Sequence, residues 1–194
     1  MRTSLFFVTL AVLLSACSSV PTRSLYLLDE APGAQPAEAV DSSRPGLVLG
    51  QVELAAFLDQ SGLVLQTGPQ EVTVTAHHRW ASPLLDQLRQ ALLTELAGAV
   101  APVAVFDGGQ GAPDGSLRLD LTVSAFHGHF DGHARVGGQW RLLDNDGAII
   151  RRGRFAARPA LQGDGYTALV NALAAGWRDA ATVMAGQLSP ALPR

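Results

Sequence analysis

Apolar residues at 117, 119, 121, 123 and 125 alternate with Arg118, Asp120, Thr122 and Ser124. That period of two predicts a strand with one buried face. Leu85, Leu88, Leu92 and Leu96 recur at helical spacing up to Gly98, and Ser82-Pro83 ahead of them offers a capping hydroxyl and a proline suited to a first turn. A longer helical stripe runs through Tyr166, Leu169, Val170, Leu173, Trp177, Ala181, Met184 and Leu188, with Asp164 in position to cap it.

Shorter signals fill the intervals. Leu47 to Leu54 is apolar at most positions and reads as a strand buried on both faces. Residues 63–66 and 72–76 flank Thr67-Gly68-Pro69-Gln70 and predict a hairpin. A short strand is expected over 103–106, then a glycine-rich loop over 107–115. Val136, Trp140 and Leu142 mark another strand, closed by the turn sequence Asp144-Asn145-Asp146-Gly147, and Ile149 to Ala157 returns. The expected fold is α/β: a single domain over 47–194, with one mixed β-sheet, an antiparallel C-terminal meander and at least two packing helices.

The N-terminus follows another logic. Met1-Arg2-Thr3-Ser4 precedes an apolar run over 5–14 and then Ser15-Ala16-Cys17. The run is too short for the roughly 20 helical residues that a bilayer requires, and it has the layout of a secretory signal. Leu14-Ser15-Ala16-Cys17 resembles the bacterial lipobox. That resemblance implies a signal peptide over 1–16, cleavage before Cys17, and acylation of the Cys17 sulfur and its new amine. Three acyl chains exceed the two signals needed for stable anchoring. Ser18, in place of Asp, implies sorting to the outer membrane, facing the periplasm. Residues 17–46 are then the lipidated cysteine and a tether. The tether holds an apolar patch, Leu25-Tyr26-Leu27-Leu28, and a Pro- and Ala-rich stretch over 31–46.

Composition narrows the chemistry. The 194 residues are 47% hydrophobic, enough for a core, and the net charge of −3 gives no polycationic footprint for nucleic acid. All basic residues other than histidine are Arg, so a Walker A lysine or a lysine Schiff base is excluded. One cysteine makes no internal disulfide and no multi-thiolate zinc site. Gly108-Gly109-Gln110-Gly111 has no following Lys-Ser/Thr and leads towards a strand, which argues against phosphate binding. No cofactor is expected.

Two histidine clusters remain. In His-Gly-His-Phe-Asp-Gly-His, a strand continuing through Ala125 would put His127 and His129 on one face, with His133 returning after a turn at Asp131-Gly132. Those three are candidate metal ligands, and a metal-dependent envelope enzyme is the alternative function they suggest; a solvated turn is the other account. His77-His78-Arg79-Trp80 is expected between a strand and a helix, with Trp80 packing at the helix start and Arg79 tying down a loop. No G-x-S-x-G elbow accompanies it. Arg151, Arg152, Arg154 and Arg158, with Arg135 and Arg141 on the neighbouring strand, make a charged sheet face or a contact for acidic groups or lipid phosphates.

Several motifs in order resemble the auxiliary lipoproteins of ABC-type transport systems, the PqiC/YmbA-like family. They are the lipobox, Tyr26-Leu27-Leu28, Phe57-Leu58-Asp59, Arg79-Trp80-Ala81-Ser82-Pro83-Leu84, Val123-x-x-Phe126, Trp140-Arg141-Leu142 and Gly165-Tyr166-x-Ala168-Leu169-Val170. The chain departs from the family pattern at Gln60-Ser61, where Arg-Pro is common, and at His127, where Asp follows the Phe. The resemblance implies an α/β domain and a non-catalytic accessory subunit that supports membrane integrity. Its partners would be an envelope-spanning MCE-domain protein and the permease and ATPase of that lipid transport system. Ring-forming homologues make a homo-oligomer an alternative to a monomer. Phe57, Leu58 and Asp59, with Arg79 and Trp80, are the candidate partner face, because an aromatic in a loop is costly to leave bare. A structural or assembly lipoprotein would share the anchor and differ only in partner.

Overall fold

A computed structural model describes residues 22–28, 43–108 and 111–192. The expected signal peptide over 1–16, the expected lipidation at Cys17, and residues 18–21 and 29–42 of the expected tether lie outside the described residues. Eight strands form one sheet: β1 Ser24–Tyr26, β2 Leu47–Leu54, β3 Gly62–Gly68, β4 Glu71–Trp80, β5 Val105–Asp107, β6 Leu117–His129, β7 His133–Leu143 and β8 Ile149–Ala157. Two helices, α1 Leu84–Ala99 and α2 Gly165–Leu188, pack against the sheet and each other, and a single 3-10 turn, Ser189–Ala191, ends the described chain. Among the described residues no helix is long and apolar enough to cross a membrane.

The sheet is built around β6. One edge of β6 pairs antiparallel with β7 over its whole length, and β7 carries β8 in the same sense. The other edge is shared: β2 pairs parallel with residues 117–123, and β3 pairs parallel with Gly128 and His129. Beyond β2 lies β5, parallel; beyond β3 lie β4, antiparallel, and then β1, parallel. The mixed sheet, its antiparallel C-terminal meander and the two helices are the architecture expected from the sequence.

Three boundaries differ from those expected. Ser24–Tyr26, read as tether, is a strand, and Leu28 is buried, so the folded body begins before residue 47. β4 runs on to Trp80, placing His77-His78-Arg79-Trp80 on a strand rather than in a connection. Ser82 does not cap α1. Pro83 holds the cap position, and the Ser82 carbonyl accepts a hydrogen bond from Gln87 Nε2 at 2.9 Å. Asp164 does stand at the cap of α2, in extended conformation and without a side-chain cap bond.

The core lies between the sheet and the helices. Leu88, Leu92 and Leu96 of α1 are fully buried. Trp177 of α2 meets Phe126 and Phe155 edge-on, at ring separations of 6.1 and 5.8 Å. Its indole N–H donates to the Leu88 carbonyl at 3.2 Å and ties α2 to α1. Among the described residues no helix covers the opposite face of the sheet. There Gln139, Arg141, Arg152 and Arg154 are exposed.

One irregularity in β6 decides which way its C-terminal residues face. Val123 pairs with Gly138 and Ala125 with Gly137, so an extra residue is inserted at Ser124. Such a bulge reverses the inward phase of the strand. Leu119, Leu121 and Val123 face the helices before it, and Phe126 and Gly128 after it. His127 therefore points to the opposite face from the one the simple alternation assigns.

Candidate functional site

The turn between β6 and β7 gathers charge around one carboxylate. Asp131 Oδ1 lies 2.8 Å from His129 Nδ1 and 3.3 Å from His133 Nδ1, and Oδ2 accepts from Arg135 at 2.6 Å and from Arg158. Gly132 follows with φ +77°, a conformation glycine adopts freely, and lets β7 return within a three-residue turn. Burial alone would raise the Asp131 pKa. Hydrogen bonds from Arg135, His129 and Arg158 outweigh it and hold the carboxyl well below the usual carboxylate range.

The three candidate metal ligands do not converge. Because of the bulge, His127 is buried on the face away from the helices, beside Phe57 at a ring separation of 6.1 Å, and its Nδ1 lies 3.0 Å from the Gly128 carbonyl. Burial pushes its pKa down against that hydrogen bond, and His129 and Arg135 push it further. His129 and His133 turn instead to Asp131. Among the described residues no three His, Cys, Asp or Glu side chains are placed to hold a metal ion. The cluster is a structural knot around a turn.

The candidate partner residues divide. Leu58 is 0% exposed and Trp80 is 6% exposed, so both are core side chains and cannot meet a partner. Trp80 packs beside Phe126 of β6 at 6.0 Å from the last position of β4, not at the helix start where it was expected. Phe57 is 38% exposed and Asp59 is exposed, both on the loop after β2. Arg79 donates to Ser61 Oγ and so ties down that loop, as its position predicted. His78 has a role no motif signalled: its ring stacks on Tyr166 at 3.6 Å and its Nδ1 meets the Tyr26 hydroxyl at 2.9 Å, joining β1, β4 and α2.

Two concavities flank these elements. On the open face, a polar trough of about 720 Å³ is lined by Glu53, Asp120, Thr122, Gln139, Arg141, Arg152 and Arg154. Asp120 is buried; its Oδ1 accepts the Gln51 amide at 2.9 Å and lies 3.3 Å from Arg118 Nε. Arg141 pairs directly across strands with Arg152 on β8 and with Asp120 on β6, whose Oδ2 lies 3.9 Å from its guanidinium, so one carboxylate sits beside two like charges. At the β6–β7 end, a half-open apolar cavity of about 380 Å³ lies between β3, the turn and the start of α2. Leu65, Gly128, Leu161, Tyr166, Leu169 and the exposed Phe130 give it its apolar surface, and Gln66, Thr67, His129 and His133 also line it.

The fold defines a two-layer α/β domain with one bare sheet face. A crystal structure of an uncharacterized protein is similar to it at a TM-score of 0.72 and 28% identity, covering 87% of this chain and 99% of the other. Protein XCC0632 from Xanthomonas campestris, at a TM-score of 0.65 and 17% identity, covers 87% and 94% and shares the fold. Residues 26–185 match the family described as ABC-type transport auxiliary lipoprotein component, and the chain belongs to that family. Its relatives include the intermembrane transport lipoprotein PqiC of Escherichia coli (strain K12) and that of Shigella flexneri. Each is 32% identical over 187 residues, covering 94% of this chain and 96% of the relative.

Proposed function

We propose that this protein is a non-catalytic accessory lipoprotein of an MCE/ABC-type intermembrane lipid transport system. Acyl chains on Cys17 hold it in the outer membrane, facing the periplasm, and the domain docks onto the envelope-spanning MCE-domain protein. The observation that carries the reading is the 32% identity to an intermembrane transport lipoprotein across 94% of the chain. The lipobox supplies the anchor.

For the docking face, the bare side of the sheet is the best candidate. Its exposed Arg141, Arg152 and Arg154 share the trough with the carboxylates of Glu53 and Asp120, Arg141 lying 3.9 Å from Asp120 Oδ2, and Phe57 and Asp59 stand on the loop after β2. An acidic, partly apolar partner surface complements them. The test is capture of a membrane-extracted MCE-domain protein by the full acylated chain in detergent. Enrichment over an unrelated lipoprotein is expected, and R152E/R154E should reduce it about tenfold, as reversing charges at a steered contact does. Capture no better than the control lipoprotein overturns the reading.

A further inference from the structure

We propose that the cavity beside Phe130 receives one acyl chain of a phospholipid from the membrane that anchors the protein; the anchor itself rests on the proposed lipoprotein function. Strand directions place the cavity, the exposed aromatic and the approach of the tether at one end of the sheet. β3 and β6 run parallel and pair at Leu65–Gly128 and Gln66–His129, so the β3–β4 hairpin tip and the Phe130 turn lie together. β4 starts from that tip at Glu71. β1 runs parallel to β4, so the chain before Ser24 also comes from that end.

Chain length then limits the geometry. Ser24 is level with His78, seven residue steps from Glu71, and Cys17 precedes Ser24 by the same seven. At about 3.3–3.6 Å per extended residue those steps reach no further than about 25 Å. An acylated Cys17 can thus reach the level of the hairpin tip, which puts the Phe130 end within reach of the bilayer.

The cavity suits that position. Its apolar walls enclose about 380 Å³, near the small limit of ligand sites, which fits a single aliphatic chain and not a whole phospholipid. Gly128 is part of its floor: a Cβ there would come 2.8 Å from a Leu65 methyl and 3.1 Å from a Leu169 methyl. Phe130 lines the cavity and is 57% exposed, where a bilayer would cover it. Arg135 and Arg158 share the single carboxylate of Asp131, next in sequence to Phe130, leaving that turn one cation in excess, and the Arg158 side chain is 58% exposed. A phosphate headgroup complements that charge.

The experiment reconstitutes the full acylated chain in vesicles of phosphatidylethanolamine and phosphatidylglycerol containing a phospholipid with a diazirine in its acyl chain. Photo-adducts are then mapped by mass spectrometry. Adducts are expected on peptides holding Leu65, Phe130 and residues 161–169. Phe130→Ser should cut them about fivefold and Leu65→Asp about tenfold, the scale of losing one buried apolar contact. Thermal midpoints identify the folded variants, and Phe130→Ser carries the test if Leu65→Asp does not fold. No adducts on these peptides, or equal yields in the folded variants, overturn the proposal. Capture of the MCE-domain protein is measured on the same material. Capture without cavity adducts removes the acyl site and leaves the transport reading; adducts without capture do the reverse.

Discussion

The Trp140 indole lies across Gly153, its direct partner on β8: a Cβ at Gly153 would come within 2.5 Å of the ring. Phe155 sits the same way over Gly138 of β7, with a ring atom 2.6 Å from where a Cβ would be. Each glycine makes room for the aromatic ring of its neighbour strand. Gly153→Val should therefore cost about 1–3 kcal/mol from overpacking, read as a lower denaturant midpoint with an unchanged m-value.

Phe57 and Leu58 are adjacent and should behave oppositely. Leu58→Ala removes a side chain with no exposure and should cost about 2–5 kcal/mol. Phe57→Asp alters a side chain with 38% exposure and should leave the denaturation midpoint closer to wild type, while weakening capture of the MCE-domain protein. Intact capture by folded Phe57→Asp would remove Phe57 from the docking face.

His127 makes stability fall on mild acidification. Its pKa in the folded protein is pushed below the ordinary value near 6.5, chiefly by burial. As pH drops below that value the unfolded chain takes up the proton first, so stability declines until pH reaches the folded pKa. In thermal melts between pH 7.5 and 5, His127→Gln should show a shallower fall in midpoint than wild type.

Asp131 acts in a lower range. Its carboxyl is held well below the usual value near 3.9, so its contribution is complete above that value and is lost as pH falls beneath it. Asp131→Asn should melt lower than wild type at pH 7, and the gap should narrow as pH approaches about 3, where the native carboxylate too begins to lose its advantage over the unfolded chain. A constant gap across that range would mean that the turn, not the charge, carries the effect.

Much of the fold was legible where one face of an element is buried. Leu47–Leu54 and Ile149–Ala157 span the expected strands, although Gln51 and Glu53 leave β2 exposed on one face rather than buried on both, and the buried stripe of α1 is Leu84, Leu88, Leu92 and Leu96, with Leu84 where Leu85 was expected. Such patterns are local, because burial acts on every second or every third to fourth residue. Less legible were features made by partners distant in the chain. β1 is too short to show a period and exists through its pairing with β4. Leu58 and Trp80 looked like exposed anchors, yet both belong to the core.

For the histidines the difference is most specific. Their residue types and the turn after His129 were visible in the sequence, and the turn stands at residues 130–132. The single residue inserted at Ser124 was not, since a bulge is chosen by the register against β7 and leaves the composition of β6 unchanged. That insertion sends Phe126 to the helices and His127 to the other face, and Asp131 then gathers His129, His133, Arg135 and Arg158. The amino-acid order by itself determined the lipobox, the two helical stripes, the alternating strands and the absence of lysine chemistry. Only the tertiary structure decided which face each histidine takes and that Ser24–Tyr26 joins the sheet, because both depend on pairing between strands far apart in the chain.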